Sequence, residues 1–252
     1  MSTRDHAPMG APIWTDLMTS DTDGARSFYG QLFGWECDDP NPEFGGYANF
    51  TKVGKEVAGL MGKMDESMPD VWSIYLEVTD AEKSCAQVAE LGLPVIVPAM
   101  EVGDFGTMAV VADPTGAVVG MWQPDQHKGF VYMEPDAPGW CELFTRDFQG
   151  AIDFYRDVFG WTVNLESDEP EFRYATQNDG ESMWAGIMDA SAFLPEGVPA
   201  HWSLYIQVED ADAVIAKAVE LGGSVVMPAE DTPYGRLATL ADPTGAIFKL
   251  RG

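Results

Sequence analysis

The sequence predicts an α+β protein assembled from two homologous halves, each reading as a β-α-β-β-β unit performed twice. Three observations carry this: a segment that returns 126 residues later, an amphipathic helix set between alternating strands, and a DPTG turn near the end of each half. The repeat is the strongest signal. WTDLMTSDTDGARSFYGQLFGW (14–35) aligns with WCELFTRDFQGAIDFYRDVFGW (140–161), so Trp14, Phe28, Tyr29, Phe33, Gly34 and Trp35 all recur at one offset. Further on, WSIYLEV (72–78) returns as WSLYIQV (202–208) and ADPTGA (112–117) as ADPTGA (241–246). The offset drifts to 130 and then 129, as loop insertions produce, while the order of the matches is kept. The chain is therefore a duplication, with domains expected at 10–126 and 139–252 and a linker at 127–138, where two prolines and a glycine interrupt any periodicity.

Each element has a local cause. PIWTDLM (12–18) alternates as a half-buried strand does, and Asp21 to Asp23 then offer an N-cap. Ala25, Phe28, Tyr29, Leu32 and Phe33 fall on one face of a helix that Gly34 ends; Ala151, Phe154, Tyr155, Val158, Phe159 and Gly160 repeat the pattern. Strands are expected at 47–53, 56–62 and 72–79, then a helix opened by Asp80 and closed near Gly92, then strands at 94–97, 107–112 and 117–122. Proline and glycine at the second and fourth places of DPTG suit a type I turn joining the last two strands.

Bulk composition narrows the function. With 252 residues and 46% hydrophobic content the chain can bury two ordinary cores. A formal charge of −27 repels phosphate backbones and anionic lipid, so neither nucleic acid nor a membrane surface is an expected partner. Cys37, Cys85 and Cys141 are odd in number and show no CxxC spacing, which argues against a disulfide framework or structural zinc. The first residues lack the apolar core of a signal peptide, and no stretch has the length of a membrane span, so the expected location is the cytoplasm.

A strand, a helix with an FY pair and an LFGW exit, and strands ending in a DPxG hairpin resemble the vicinal-oxygen-chelate superfamily of glyoxalases, bleomycin-resistance proteins and extradiol dioxygenases. The resemblance covers roughly 12–124 and 138–251. Paired W-x-[DE]-L openings, WxxY and ADPTGAxxGxW are similar to two-domain actinobacterial proteins labelled glyoxalase-like or hydroxylase-like. It implies tandem glyoxalase-like domains, each with two βαβββ units forming a curled mixed sheet around a concave cup that carries the chemistry. Metal-dependent members hold an ion there with four ligands. Their first position falls here on Trp14 and Trp140, the fourth-strand position near Gly59 or Leu60 and Gly186 or Ile187, the fifth-strand position on Ser73 and Ser203, and the last on Gly120 and Lys249. Neither half keeps a donor set, so no metal and no cofactor are expected.

Strand alternation turns further residues toward the same cup: Asp16 and Glu142, Tyr75 and Tyr205, Trp122, with His201 and Arg251 at the same parity in the second half. Asp16, Glu142 and His201 are the candidate proton-transfer groups; Trp14, Ser73, Tyr75, Trp122, Trp140, Ser203, Tyr205 and Lys249 are the candidate ligand-binding residues. The two carboxylates equally fit a bracing role, bonded to amides or tyrosine hydroxyls, and the tryptophans equally fit core packing. His201 alone of three histidines falls on a strand; His6 precedes the first strand and His127 lies in the linker.

Three functions fit: a metal-independent enzyme acting on an aromatic or polyketide-like metabolite or a reactive carbonyl, a bleomycin-resistance-like protein that sequesters a small molecule, and a metal-dependent lyase with a rearranged ligand set. The expected partner is a small molecule. The expected assembly is a monomer whose halves imitate a dimer, or a homodimer.

Overall fold

The computed structural model describes residues 7–178, 180 and 183–252. The first half contains β1 (Pro12–Thr19), α1 (Thr22–Phe33), β2 (Glu36–Cys37), β3 (Ala48–Lys52), β4 (Lys55–Gly62), β5 (Val71–Glu77), α2 (Ala81–Glu90), β6 (Val95–Val102), β7 (Gly106–Ala112) and β8 (Val118–Pro124). The second repeats it as β9 (Ala137–Thr145), α3 (Phe148–Phe159), β10 (Val163–Glu169), β11 (Phe172–Gln177), β12 (Ala185–Asp189), β13 (His201–Gln207), α4 (Ala211–Glu220), β14 (Ser224–Thr232), β15 (Gly235–Ala241) and β16 (Ile247–Arg251). Each half forms its own mixed sheet, ordered β2-β3-β4-β1-β5-β8-β7-β6 and β10-β11-β12-β9-β13-β16-β15-β14. β1 and β5 meet antiparallel at the centre, and each has a parallel neighbour on its outer side, β4 and β8. Two βαβββ units thus lie side by side in an open, unclosed sheet. Among the described residues no helix is long and apolar enough to cross a membrane.

The expected caps are in place. Asp21 accepts from the Gly24 amide at 2.9 Å, and Gly34 ends α1 in the left-handed region at φ 70°. One strand is longer than its sequence suggests: β6 runs on past Pro98 to Val102, beyond the expected 94–97. Proline is tolerated because β6 is the outermost strand and its pairing with β7 shifts register between Val97 and Met100. Pro228 sits in the matching edge strand, β14, beside the same kind of shift.

The two sheets are held together through the helices. The buried Tyr29 hydroxyl on α1 donates to Asp242 at 3.1 Å, across in the second half, and accepts from the Trp72 indole at 3.0 Å. Tyr155 on α3 mirrors it, donating to Asp113 at 3.1 Å and accepting from Trp202 at 2.8 Å. Asp113 and Asp242 are the first residues of the two DPTG turns. One carboxylate oxygen of Asp113 fastens its own turn, through the Thr115 and Ala117 amides, and the other reaches the partner half. The FY pair and the DPTG turn are therefore two ends of one contact between the halves.

Candidate functional site

The pleat of the second sheet aims Trp140, Glu142 and Phe144 of β9, Tyr205 of β13, and Lys249 and Arg251 of β16 into an open cavity of about 380 Å³. Met133, Met188, Met227 and Phe172 make part of its wall apolar and adaptable. Glu142, Glu166, Glu230, Lys249 and Arg251 are the charged side chains on the wall. The wall is thus a mostly apolar surface with a few polar groups, the usual build of a small-molecule site.

Glu142 is buried at the floor of this cavity. It lies opposite Gly186 on one neighbouring strand and Ser203 on the other. Tyr205 donates to it at 2.6 Å, and the Tyr174 hydroxyl, which accepts from the Trp140 indole at 3.0 Å, bonds it as well. Gly186 permits that approach, since a Cβ there would lie 2.1 Å from the Tyr174 oxygen. Lys249 stands on the other side of Tyr205. Its Nζ is 3.3 Å from the Tyr205 hydroxyl and 3.7 Å above the Phe144 ring. Burial pushes the Lys249 ammonium down to about 8, with Glu142 opposing the shift. Burial also carries the Tyr205 and Tyr174 phenols well above their ordinary range, so both stay protonated and act as donors.

The first sheet repeats the carboxylate network and then closes over it. Trp14 donates to Tyr47 at 2.6 Å, and Tyr47 donates to Asp16 at 3.3 Å, over Gly59, where a Cβ would meet the Tyr47 oxygen at 1.8 Å. The segment read as a linker fills the remaining space. His127 sits edge-on to Trp14 at 4.5 Å and to Trp122 at 5.6 Å, the Trp122 indole donates to the His127 carbonyl at 3.1 Å, and fully buried Phe130 packs on Trp14 at 5.7 Å. Trp14, Asp16, Tyr75 and Trp122 are all buried beneath it. Gly120, the counterpart of Lys249, leaves room that the Tyr75 ring takes, 2.1 Å from where a Cβ would stand.

Burial pushes the Asp16 carboxyl up to about 6, against the opposing pull of the Tyr75, Ser73 and Tyr47 hydroxyls. The folded carboxyl keeps its proton to about pH 6 while the unfolded one releases it near 3.8, so stability falls as pH rises through that window and the full cost persists above it. Asp16→Asn is expected to raise the unfolding free energy by about 1–2 kcal/mol near neutral pH and to flatten that pH dependence. Urea unfolding of both proteins across the window checks this; an unchanged slope would contradict it.

Of the candidate residues, the cavity brings together Trp140, Glu142, Tyr205 and Lys249. Ser203 is buried, directly opposite Glu142 on the neighbouring strand, and is not among the lining residues. His201 stacks on Phe144 at 5.6 Å and its Nδ1 meets the Pro199 carbonyl at 2.9 Å, outside the lining. Trp14, Asp16, Ser73, Tyr75 and Trp122 lie together in the covered cup. His6 lies outside the described residues. Sequence reasoning missed Tyr47 and Tyr174, although Tyr-Ala recurs in GYANF and RYATQ, and missed the FVY run at 130–132, too apolar for a solvated spacer.

A family model for the Glyoxalase/Bleomycin resistance protein/Dioxygenase superfamily matches residues 12–121 and again 137–250. The chain belongs to this superfamily. It is similar to the putative glyoxylase CFP32 of Mycobacterium tuberculosis, 37% identical over 99% of this chain and 97% of that one. It is also similar to the anthracycline biosynthesis protein DnrV of Streptomyces peucetius, 35% identical over 96% of this chain and 92% of the relative. The 2,3-dioxygenase LapB of Pseudomonas sp. KL28 shares the fold at TM-score 0.66, with 14% identity over 97% of this chain and 93% of that one. So does the Mn(II)-bound glyoxalase of Novosphingobium aromaticivorans, at TM-score 0.65 and 15% identity over 99% of this chain and 82% of that one.

The residues of this superfamily member do not fit a catalytic divalent ion. Each half offers one cup-facing carboxylate on its first strand, already held by tyrosine hydroxyls. The strand beside it carries glycine, whose side-chain space is taken by a tyrosine oxygen, and the last strand carries Gly120 or the cation Lys249. Among the described residues no three His, Cys, Asp or Glu side chains lie together as a ligand cluster.

Proposed function

We propose that the C-terminal cup binds an aromatic or polyketide-like metabolite bearing a carbonyl and transforms it without a metal, Glu142 acting as the acid–base group. The observation that carries this reading is a buried carboxylate in the wall of an open, mostly apolar cavity, braced by two tyrosine hydroxyls and one hydroxyl away from Lys249. A carboxylate so placed reaches a bound molecule while Tyr174 and Tyr205 hold its orientation. Trp140 supplies a flat face for a planar ring, and the Phe144 ring carries Lys249 above it. The likeness to an anthracycline biosynthesis protein supports a polycyclic aromatic ligand. In this reading Asp16 is shut inside the covered cup and takes no part in the chemistry, and His201 backs Phe144. Cys37 and Cys85 are free thiols, which suits a reducing cytoplasm, and the negative charge suits a small-molecule partner rather than nucleic acid.

The first test is binding of quinizarin, a planar hydroxyanthraquinone, followed by its absorbance. One saturable site per chain is expected, weakened about tenfold or more by Met188→Trp, which fills the cavity, and unaffected by Asp16→Asn. No binding, or binding indifferent to Met188→Trp, would sink the reading. The methionine-rich wall also suits sequestration, where adaptable side chains close on a toxic molecule. Recovery of every bound carbonyl-bearing aromatic unchanged would favour that second reading.

A further inference from the structure

We infer that Lys249 is a nucleophilic amine that condenses with an aldehyde or ketone carbonyl of the bound molecule, so that the site passes through a covalent imine. This rests on the reading of the C-terminal cup as a site for a carbonyl-bearing aromatic.

The placement is particular to this residue. The chain has seven lysines, and Lys249 is the one on the cavity wall among the described residues. Lys52, Lys63 and Lys217 are held by carboxylates, whereas Lys249 is flanked by the Phe144 face and one hydroxyl, that of Tyr205. An ammonium with so few partners in an apolar wall is poorly solvated, and its burial-lowered pKa of about 8 leaves neutral amine available near physiological pH. Against 10.5 for an ordinary lysine, this is roughly two orders of magnitude more neutral amine. Tyr205 touches both Lys249 and Glu142, so the amine is one hydroxyl from a proton acceptor. The covered cup has glycine at the matching place, so the amine exists only where the cavity is open.

The step balances without a metal or redox partner. The Nζ lone pair attacks the carbonyl carbon, and a C–N bond forms as the C–O π bond opens. The carbonyl oxygen then leaves as water, both of whose hydrogens come from Nζ. Tyr205 relays one proton from nitrogen to Glu142, which returns it to the departing hydroxyl. The product is an imine with an acidified neighbouring carbon, and hydrolysis reverses the linkage.

Reductive trapping tests this. The full chain is incubated with 2-naphthaldehyde and sodium borohydride near neutral pH, and intact mass and peptide maps are recorded. One reduced adduct is expected, at Lys249, forming tens of times faster than at any other lysine. It is lost in Lys249→Arg, which keeps the charge, and in Lys249→Met, both with thermal unfolding like the parent. Labels scattered over surface lysines, or no label in protein that binds quinizarin, overturn the imine and leave the cavity reading standing. Failure to bind quinizarin as well overturns both.

Discussion

Glu142→Gln is expected to lower turnover of the cavity's substrate by about 10²–10⁴-fold, with affinity changed only a few-fold. The amide keeps the shape and still accepts from Tyr205 at Oε1, but it cannot take or return a proton. Steady-state rates on whichever carbonyl-bearing aromatic is transformed separate the two effects, since loss confined to kcat marks an interaction made only in the transition state. Asp16→Asn serves as the control: its carboxylate has the same tyrosine company but is buried in the first half's cup, where Phe130 and His127 pack on Trp14. Equal losses in both variants would remove the distinction between the cups, and an unchanged rate in Glu142→Gln would remove its proposed role.

Phe130→Ala is expected to cost about 3–5 kcal/mol, the usual range for emptying a buried phenylalanine site. The ring is fully buried, edge-on to Trp14 at 5.7 Å and tilted on Tyr132 at 5.4 Å, so its removal leaves a hollow that the surrounding strands cannot easily collapse. Water then reaches Asp16, whose raised pKa depends on exclusion from solvent, and a second quinizarin site should appear in the first half. Urea unfolding and a binding titration measure the two consequences. A loss below about 1 kcal/mol would show that the segment merely lies over the cup.

Much of the fold is legible in the residues because its causes are local. Phe28 and Tyr29 announce α1 by spacing, Asp21 and Gly34 mark its ends, and each DPTG is a turn wherever it stands. Pro98 misleads, since a proline reads as the end of a strand unless one knows that the strand is outermost. The site is legible as far as the family resemblance and strand parity reach: the resemblance places Trp140, Ser203 and Lys249 at ligand positions, and Glu142 and Tyr205 follow from counting two residues on. Tyr174 does not, because its hydroxyl arrives by leaning over Gly186, a consequence of neighbouring strands and not of sequence spacing. Nor does the different fate of Trp14 and Trp140. Their surroundings in the chain match, and what separates them is an aperiodic segment that happens to fold back over one of them.

The paired tyrosine–aspartate contacts have a consequence for concentration. Tyr29 ends on Asp242 and Tyr155 on Asp113, so a chain severed between its halves would leave a phenol and a carboxylate without their mates on each fragment. Two separate fragments would depend on meeting in solution, and dilution would part them. Joined by a short tether, they face each other at a fixed and high effective concentration whatever the cell contains. That standing proximity keeps each phenol with its carboxylate at any dilution of the chain.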